Sequence, residues 1–458
     1  MAESPYTSKP SHYNCFVNLP ESGVLLAYNG ITTAAAEFPI ETKEIIGRIL
    51  ESPNSEYSDK ELDIKQTLLQ GGFLIPVEVD ENTYLKVRNR KARFNSSQVS
   101  YTILVTKDCN LCCPYCYQKH NYGTILPEVR DAIIEMAARE TRGGKPLFVT
   151  WFGGEPLLYV DILFELSKRL KKVALKNKSV LKTSIITNGY LLNLRIAKRL
   201  VKMGCTDAQV TLDGPKRIHD KKRILHGGGP TFEHIVRNVR ESSSILPIVI
   251  RVNIDINNAE YVDELLDELS ASGLRRKVGL YFQRIQPYTE VCADVAGICF
   301  GAEDFSKYEA KFTMKMIEKG FGASRYPNLK SGFCIADSLG GKTICPDGTI
   351  VKCWNDVSHQ HEAVGHLIQP TLSEGKTIQN SFKWLNWDPF EKSDCLQCPV
   401  LPNCMGGCPY EALRAKHPNR GACSTLKFNL KETIALTYLH KRTIEEMERR
   451  RGNMGSGK

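Results

Sequence analysis

Sixteen cysteines, unevenly spread along 458 residues, constrain this chain more than any other feature. Four of them, Cys109, Cys112, Cys113 and Cys116, crowd into one short segment, and eight more fall between Cys334 and Cys423. Only Cys15, Cys205, Cys292 and Cys299 stand apart. The amino terminus, Met1-Ala2-Glu3-Ser4-Pro5, is polar and lacks the apolar core of a signal peptide. Thiols that are not exported stay reduced, so clustered cysteines read as metal ligands rather than disulfides. No run approaches the roughly 20 apolar residues of a membrane span. A cytoplasmic protein without membrane contact is expected.

Hydrophobic residues at 42% and charged residues at 24% are ordinary globular usage and exclude wholesale disorder. The length suggests about three domains. The formal charge of +10 decides little, because basic runs such as Lys168-Arg169-Leu170-Lys171-Lys172, Lys216-Arg217 and Lys221-Lys222-Arg223 read as solvated helix faces. Nucleic acid is therefore not an expected partner, whereas an acidic peptide would be attracted.

Residues 1–95 read as a small separate unit. Cys15-Phe16-Val17, the Glu21-Ser22-Gly23 turn and Val24 to Tyr28 suggest a hairpin. Helical periodicity follows at Ile45, Ile46 and Ile49 and around Leu62, Ile64 and Leu68, then Gly71-Gly72 and a strand from Phe73 to Val77. This order resembles a winged helix, and the basic run Lys86 to Lys91 reads as the linker behind it. Between 96 and 325 six strand-then-helix units alternate, with strands at Tyr101–Thr106, Leu147–Trp151, Thr183–Thr187, Ala208–Leu212, Ile248–Ile254 and Val278–Phe282. Such crossovers imply a parallel sheet, open or curled into a partial barrel. From 326 to 428 Gly, Pro and Cys dominate and periodicity is poor, so metal clusters are expected to hold an irregular region together. A charged helix from about Leu430 to Arg450 lies in the final segment, 429–458, with Gly452 to Lys458 as a disordered tail.

Thr106-Lys107-Asp108-Cys109 follows the first strand directly and opens a CxxxCxxC spacing through Cys109, Cys113 and Cys116. Three thiolates suit three irons of a [4Fe–4S] cube and leave the fourth iron open. A structural zinc would want a fourth ligand, which Cys112 could supply although its neighbour Cys113 points elsewhere, and an electron-carrying cluster would take four cysteines. The spacing resembles the radical S-adenosylmethionine (SAM) enzymes, whose open iron chelates SAM. The surrounding chain is similar too. Gly153-Gly154-Glu155-Pro156 ends the second strand, Thr187-Asn188-Gly189 the third and Asp213-Gly214-Pro215 the fourth, while Asn253 lies near the end of the fifth. Carboxyl ends of successive strands are where such folds gather ligand groups. The resemblance implies a partial (β/α)6 TIM-like barrel in which Tyr115, Gly153, Gly154, Glu155, Thr187, Asn188, Asp213, Arg223 and Asn253 contact SAM. It casts the two glycines as a close backbone approach to the ligand and Glu155 as acceptor for the SAM ammonium.

Farther on, Cys334, Gly348 and Cys353 precede Cys395, Cys398, Cys404, Cys408 and Cys423. This order is similar to the seven-cysteine signature of the SPASM extension behind many radical SAM cores. The resemblance covers roughly residues 100–425. It implies two auxiliary [4Fe–4S] clusters, one on Cys334, Cys353 and Cys408, the other on Cys395, Cys398, Cys404 and Cys423. Cys345 precedes Pro346-Asp347-Gly348, whose glycine forms a turn, and either completes the first cluster or is a bystander thiol on that hairpin. Sulfatase-maturing relatives place an Asp base directly after a cysteine, whereas here Cys353 is followed by Trp354-Asn355-Asp356, leaving Asp356 as a displaced candidate base.

In activity, the resemblance implies a radical SAM oxidoreductase that uses SAM and three clusters. It would generate a 5′-deoxyadenosyl radical, abstract hydrogen from a residue of a ribosomally made precursor peptide and oxidise or crosslink it. The amino-terminal unit would bind the peptide's leader, and an external one-electron reductant such as flavodoxin or ferredoxin would supply electrons. The competing expectations are an anaerobic sulfatase-type maturase that converts Cys or Ser to formylglycine, and a non-catalytic iron–sulfur carrier.

Overall fold

Alternating burial along consecutive strands builds the core, in a computed structural model that describes residues 7–119, 123–322, 326–330, 334–369, 374–414 and 422–455. The chain forms two compact units. One comprises the described residues of Met1–Ala92, Ala323–Phe333 and Asp388–Lys458, the other those of Arg93–Gly322 and Cys334–Trp387. These units cut across the chain-order divisions expected from the sequence, since the cysteine-rich stretch contributes to both. No described helix is long and apolar enough to cross a membrane.

In the first unit, strands β1 (Ser8–Pro10), β2 (Asn14–Leu19), β3 (Val24–Asn29) and β4 (Ala35–Pro39) precede helices α1 (Lys43–Glu51) and α2 (Asp59–Gln70). Strand β5 (Leu74–Pro76) and helix α3 (Glu81–Arg93), whose last residue already belongs to the second unit, come next. Strands β2, β3 and β4 form an antiparallel sheet, while β5 pairs with β1 instead. The apolar run of β3 is explained by burial on both faces. Leu25 and Ala27 pack with Ile46, Ile49, Ile64 and Leu68, and Leu26 and Tyr28 with Ile434 and Tyr438 of the last helix, Leu426–Gly455. That helix extends over part of the expected tail; residues 456–458 lie outside the described residues.

The expected hairpin, two helices and following strand are all present, and β1 and β4 add to them. One expectation for this unit fails. The run Lys86 to Lys91 is not a linker but the middle of α3. Its buried positions, Leu85, Asn89 and Arg93, recur every fourth residue as a helix requires. Two of the three are polar, so the buried stripe carries no apolar signature.

The second unit is a nine-stranded sheet. Strands β6 (Val99–Thr106), β7 (Leu147–Gly153), β8 (Leu181–Thr187), β9 (Cys205–Leu212), β10 (Ile248–Ile254) and β11 (Gly279–Arg284) are all parallel and lie in sequential order. Each matches an expected strand within a few residues. The hairpin expected around Cys345 continues the sheet past β6: β12 (Gly341–Ile344) runs parallel to β6, β13 (Thr349–Val351) pairs antiparallel with β12, and β14 (Gly365–His366) pairs antiparallel with β13. These strands are only two to four residues long, too short for a period-two pattern to register.

Helices α4 (Pro127–Glu140), α5 (Val160–Lys176), α6 (Leu194–Lys202), α7 (Lys216–Lys222), α8 (Phe232–Ser242), α9 (Val262–Ala271) and α10 (Ala302–Glu318) connect or flank the strands. Alternate strand residues, including Ile103, Trp151, Ile185, Val210, Ile250 and Val252, form one core with apolar helix residues such as Ile133, Leu166 and Leu266. The opposite sheet face carries Leu104, Phe152 and Ile186 near the strands' carboxyl ends. Half-buried Thr150, Ser184, Gln209, Thr211, Arg251 and Tyr281 share that face. One face is therefore dry and the other partly open, which is why β7 and β10 alternate buried and exposed positions in their first halves.

Candidate active site at the strand carboxyl ends

The chain leaves β6 through a turn built from its own polar groups. Asp108 N–H donates to Thr106 Oγ1 at 2.9 Å, and Cys109 N–H donates to Asp108 Oδ1 at 2.9 Å. The end of β7 then seals this turn, with Gly154 N–H on Thr106 O at 3.0 Å and Glu155 N–H on Asp108 O at 2.8 Å. A Cβ on Gly153 would sit 2.1 Å from Thr106 O, and one on Gly154 would sit 2.1 Å from Asp108 O. Gly153 also adopts φ +133°, a region closed to side chains in general. The two glycines were expected to admit a ligand; what meets their missing side chains here is the backbone of the cysteine turn.

Cys109, Cys113 and Cys116 are partly buried while Cys112 is exposed. Burial pushes the Cys109 thiol up to about 12, with Glu155 adding to the rise. Burial likewise lifts Cys113 to about 11, against the pull of the Arg223 guanidinium, and raises Cys116. Sulfurs in such a place ionise when a metal arrives to compensate their charge. Among the described residues no three His, Cys, Asp or Glu side chains converge on a single metal ion. A four-iron cube asks for something different, namely each thiolate on its own iron. Cys112 turns away: its Sγ lies 3.0 Å from His226 Nδ1, and its N–H donates to Ile224 O at 2.8 Å.

Two polar nodes flank this loop. In the first, fully buried Glu155 accepts from Thr187 Oγ1 at 2.8 Å, Asn188 N–H at 2.7 Å and Leu157 N–H at 3.0 Å. Burial raises its pKa and these donors pull it back. Its carboxylate thus ties the end of β7 to the end of β8, a role not anticipated from the tetrapeptide alone. Asn188 reaches Asn110 Oδ1 at 2.7 Å and comes within 3.8 Å of Cys109 Sγ.

The second node joins Tyr115, Asp213, Arg223 and Asn253. The Tyr115 hydroxyl donates to the Asp213 carboxylate and accepts from Arg223 Nη1 at 2.7 Å and Asn253 Nδ2 at 3.3 Å. Arg223 Nη1 lies 3.7 Å from Asp213 Oδ2, with both side chains buried. His219 and Asn258, which carried no sequence signal, brace Asp213: its N–H meets His219 Nδ1 at 3.3 Å, and its carbonyl accepts from Asn258 Nδ2 at 2.9 Å. Within this node Asp213 Oδ1 and Arg223 Nε are buried without a hydrogen-bond partner among the described residues. A buried acceptor of negative charge beside a buried cationic donor suits a zwitterion, whose ammonium and carboxylate would satisfy both. The amino-acid end of SAM has that chemistry, so the residues fit the cofactor.

Arg223→Met is expected to destabilise the chain by about 3–5 kcal/mol, because it leaves the Asp213 carboxylate buried without its cation. Urea unfolding under anaerobic conditions measures it. A loss below about 1 kcal/mol, the size of an exposed pair, would show that the two charges are not coupled in this way.

The remaining cysteines divide between the units. Cys334, Cys345 and Cys353 belong to the sheet-bearing unit and Cys395, Cys398, Cys404, Cys408 and Cys423 to the other. Cys345 packs with Leu104, Phe152, Val351 and Val357, and burial pushes its thiol up to about 12. Cys353 Sγ accepts from Asn355 N–H at 3.5 Å. Asp356 is buried, with His359 Nδ1 3.7 Å from its carboxylate, and lines a small cleft with Lys107 and Asp347. Lys119 N–H reaches Ser358 Oγ at 3.2 Å, and the Phe152 and Trp354 rings lie 5.5 Å apart. The Trp354–Ser358 turn therefore abuts both the segment behind Cys116 and the end of β7. In the other unit Met405, Gly406 and Gly407 all have positive φ. A Cβ on Gly407 would fall 1.5 Å from Ala422 O, so only glycine lets the Cys404–Cys408 turn pass the segment that carries Cys423.

Residues 103–269 match the radical SAM superfamily. A serine-type anaerobic sulfatase-maturating enzyme of Klebsiella aerogenes is 23% identical over 326 residues, covering 66% of this chain and 77% of that protein. The sporulation killing factor maturation protein SkfB of Bacillus subtilis is 24% identical over 179 residues, 38% of this chain and 40% of its own. Among solved structures, Streptococcus suis SuiB bound to its precursor peptide SuiA superposes with a TM-score of 0.53 at 16% identity, covering 92% of this chain and 99% of that one. That likeness is one of fold.

Proposed function

Since the chain carries a radical SAM domain and is a SAM- and iron–sulfur-dependent enzyme, we propose that it modifies a residue of a ribosomally made precursor peptide. The observation that carries the cofactor part is the orphaned pair Asp213 Oδ1 and Arg223 Nε beside the three-cysteine loop. The similarity to maturation enzymes such as SkfB supports the peptide part. Bound there, SAM and a four-iron cluster supply hydrogen-abstraction chemistry that protein side chains lack. In this reading Cys109, Cys113 and Cys116 each hold one iron, and Tyr115, Asp213, Arg223 and Asn253 seat the zwitterion of SAM. Glu155, Thr187 and Asn188 keep the two strand ends, and so the loop, in register. Cys395, Cys398, Cys404 and Cys423 ligate one auxiliary cluster, and Cys334 and Cys353 contribute to another, with Cys345 as a packed thiol beside it. An external one-electron donor completes the system.

The first unit would hold the peptide's leader by strand addition, because among the described residues β4 is an edge strand that pairs with β3 alone. Anaerobic incubation with dithionite, SAM and precursors encoded beside the gene tests the whole reading. 5′-Deoxyadenosine and a mass change in the peptide are expected, and removal of the leader should raise KM far more than it lowers kcat. A chain that releases no 5′-deoxyadenosine is a carrier, and the proposal fails.

The second reading is maturation of a sulfatase-type Cys or Ser, favoured by the similarity to sulfatase-maturating enzymes and by a buried carboxylate, Asp356, that could accept the substrate proton. Formylglycine in a sulfatase-derived peptide, lost in Asp356→Asn, would select it.

A further inference from the structure

Arg251 projects from β10 on the sheet face opposite the helices, in register with Thr211 of β9 and Tyr281 of β11. It is half-buried, its Nε donates to Asn253 Oδ1 at 2.9 Å, and no carboxylate of the described residues lies within ion-pair distance. Three other partly or fully buried arginines of this unit each have an acid: Arg93 has Asp337, Arg130 has Glu165, and Arg223 has Asp213. The neighbours of Arg251 on this face are neutral, with the Tyr281 hydroxyl spent on Gln209 Oε1 at 2.8 Å. Higher on the same face stands Tyr117, directly behind Cys116, packed with Leu104, Phe152 and Trp354. Asn253, which holds Arg251 through its Oδ1, donates its Nδ2 to the Tyr115 hydroxyl at 3.3 Å, so the guanidinium stands one side chain away from the Tyr115–Asp213–Arg223 node. Holding a partly desolvated cation without a counter-charge costs stability unless a ligand supplies one.

We propose that Arg251 is a specificity-determining residue that binds a carboxylate of the substrate, an Asp or Glu side chain or a peptide's terminal carboxylate, next to the residue being modified. The proposal rests on the peptide reading above and narrows its substrate class. Nε is occupied by Asn253, so the two Nη groups form the free end, which suits end-on bidentate contact with a carboxylate. SAM also has a carboxylate, but the Arg223 node already offers that group its cation.

Two pairs of probes separate the sources, each titrated into holoenzyme. N-acetylglutamate N-methylamide and its glutamine counterpart, followed by saturation-transfer NMR with SAM present, differ only in the charge. SAM and decarboxylated SAM test the cofactor. The parent enzyme is expected to bind the glutamate probe about tenfold more tightly than the glutamine probe, with Arg251→Gln bringing the two within about twofold and Arg251→Lys restoring part of the preference. The SAM preference over decarboxylated SAM should survive in Arg251→Gln. Equal binding of both amides by the parent overturns the proposal, as does a SAM preference that collapses in the variant. If the glutamate preference holds but no precursor is ever modified, the carboxylate site stands and the peptide reading falls.

Discussion

A chain with Cys109, Cys113 and Cys116 all replaced by alanine is expected to release no 5′-deoxyadenosine from SAM, and to retain about eight of roughly twelve irons. The loss is total because the three thiols are the sulfurs of the loop between β6 and the two polar nodes. The other cysteine groups sit on separate segments, and their visible absorption should persist. Cys112→Ser is the informative control. Its thiol is exposed and faces His226 rather than Cys109 or Cys113, so iron and SAM cleavage should stay near the parent values. Loss of the cluster in Cys112→Ser, with retention in a single Cys109→Ala, would move the ligand set. Bound zinc in place of iron would replace the cluster reading altogether.

Gly154→Ala should lower 5′-deoxyadenosine formation about a hundredfold, the scale on which a displacement of about 1 Å acts at a reacting centre. The added Cβ would lie 2.1 Å from Asp108 O and 2.8 Å from Lys107 O, both backbone atoms that cannot swing aside. The cysteine turn must move instead, carrying Cys109 with it. Gly227→Ala gives the comparison, because no atom lies within 4 Å of its added Cβ and its rate should match the parent. Iron content, SAM affinity and the rate of 5′-deoxyadenosine release, measured side by side, check both. An unimpaired Gly154→Ala would mean that the β6–β7 contact is not what positions the loop.

Much of this was readable from residue order. The parallel sheet was legible because six strands are long enough to show their apolar alternation between amphipathic helices. The CxxxCxxC loop was legible because its ligand candidates are neighbours in the chain. Other features escaped. Helix α3 hides its buried stripe behind Asn89 and Arg93, and β12 to β14 are too short for alternation to show, so the turn after Cys345 was the one sign of their hairpin. Gly153 and Gly154 pointed to a tight approach, yet their partners, Thr106 O and Asp108 O, belong to a different strand end and its turn.

The sequence by itself determined the kind of chemistry, because thiol spacing and strand-end placement are local properties carried by consecutive residues. The tertiary structure alone decided which polar groups were spent and which remained free. Glu155 turned out to be satisfied by Thr187, Asn188 and Leu157, whereas Asp213 Oδ1 and Arg223 Nε lack partners. Arg251 is one basic residue among many in the chain until the sheet register sets it between Thr211 and Tyr281, with no acid of the described residues beside it. Hydrogen-bond satisfaction depends on contacts between strands far apart in sequence, so only the folded sheet reveals it.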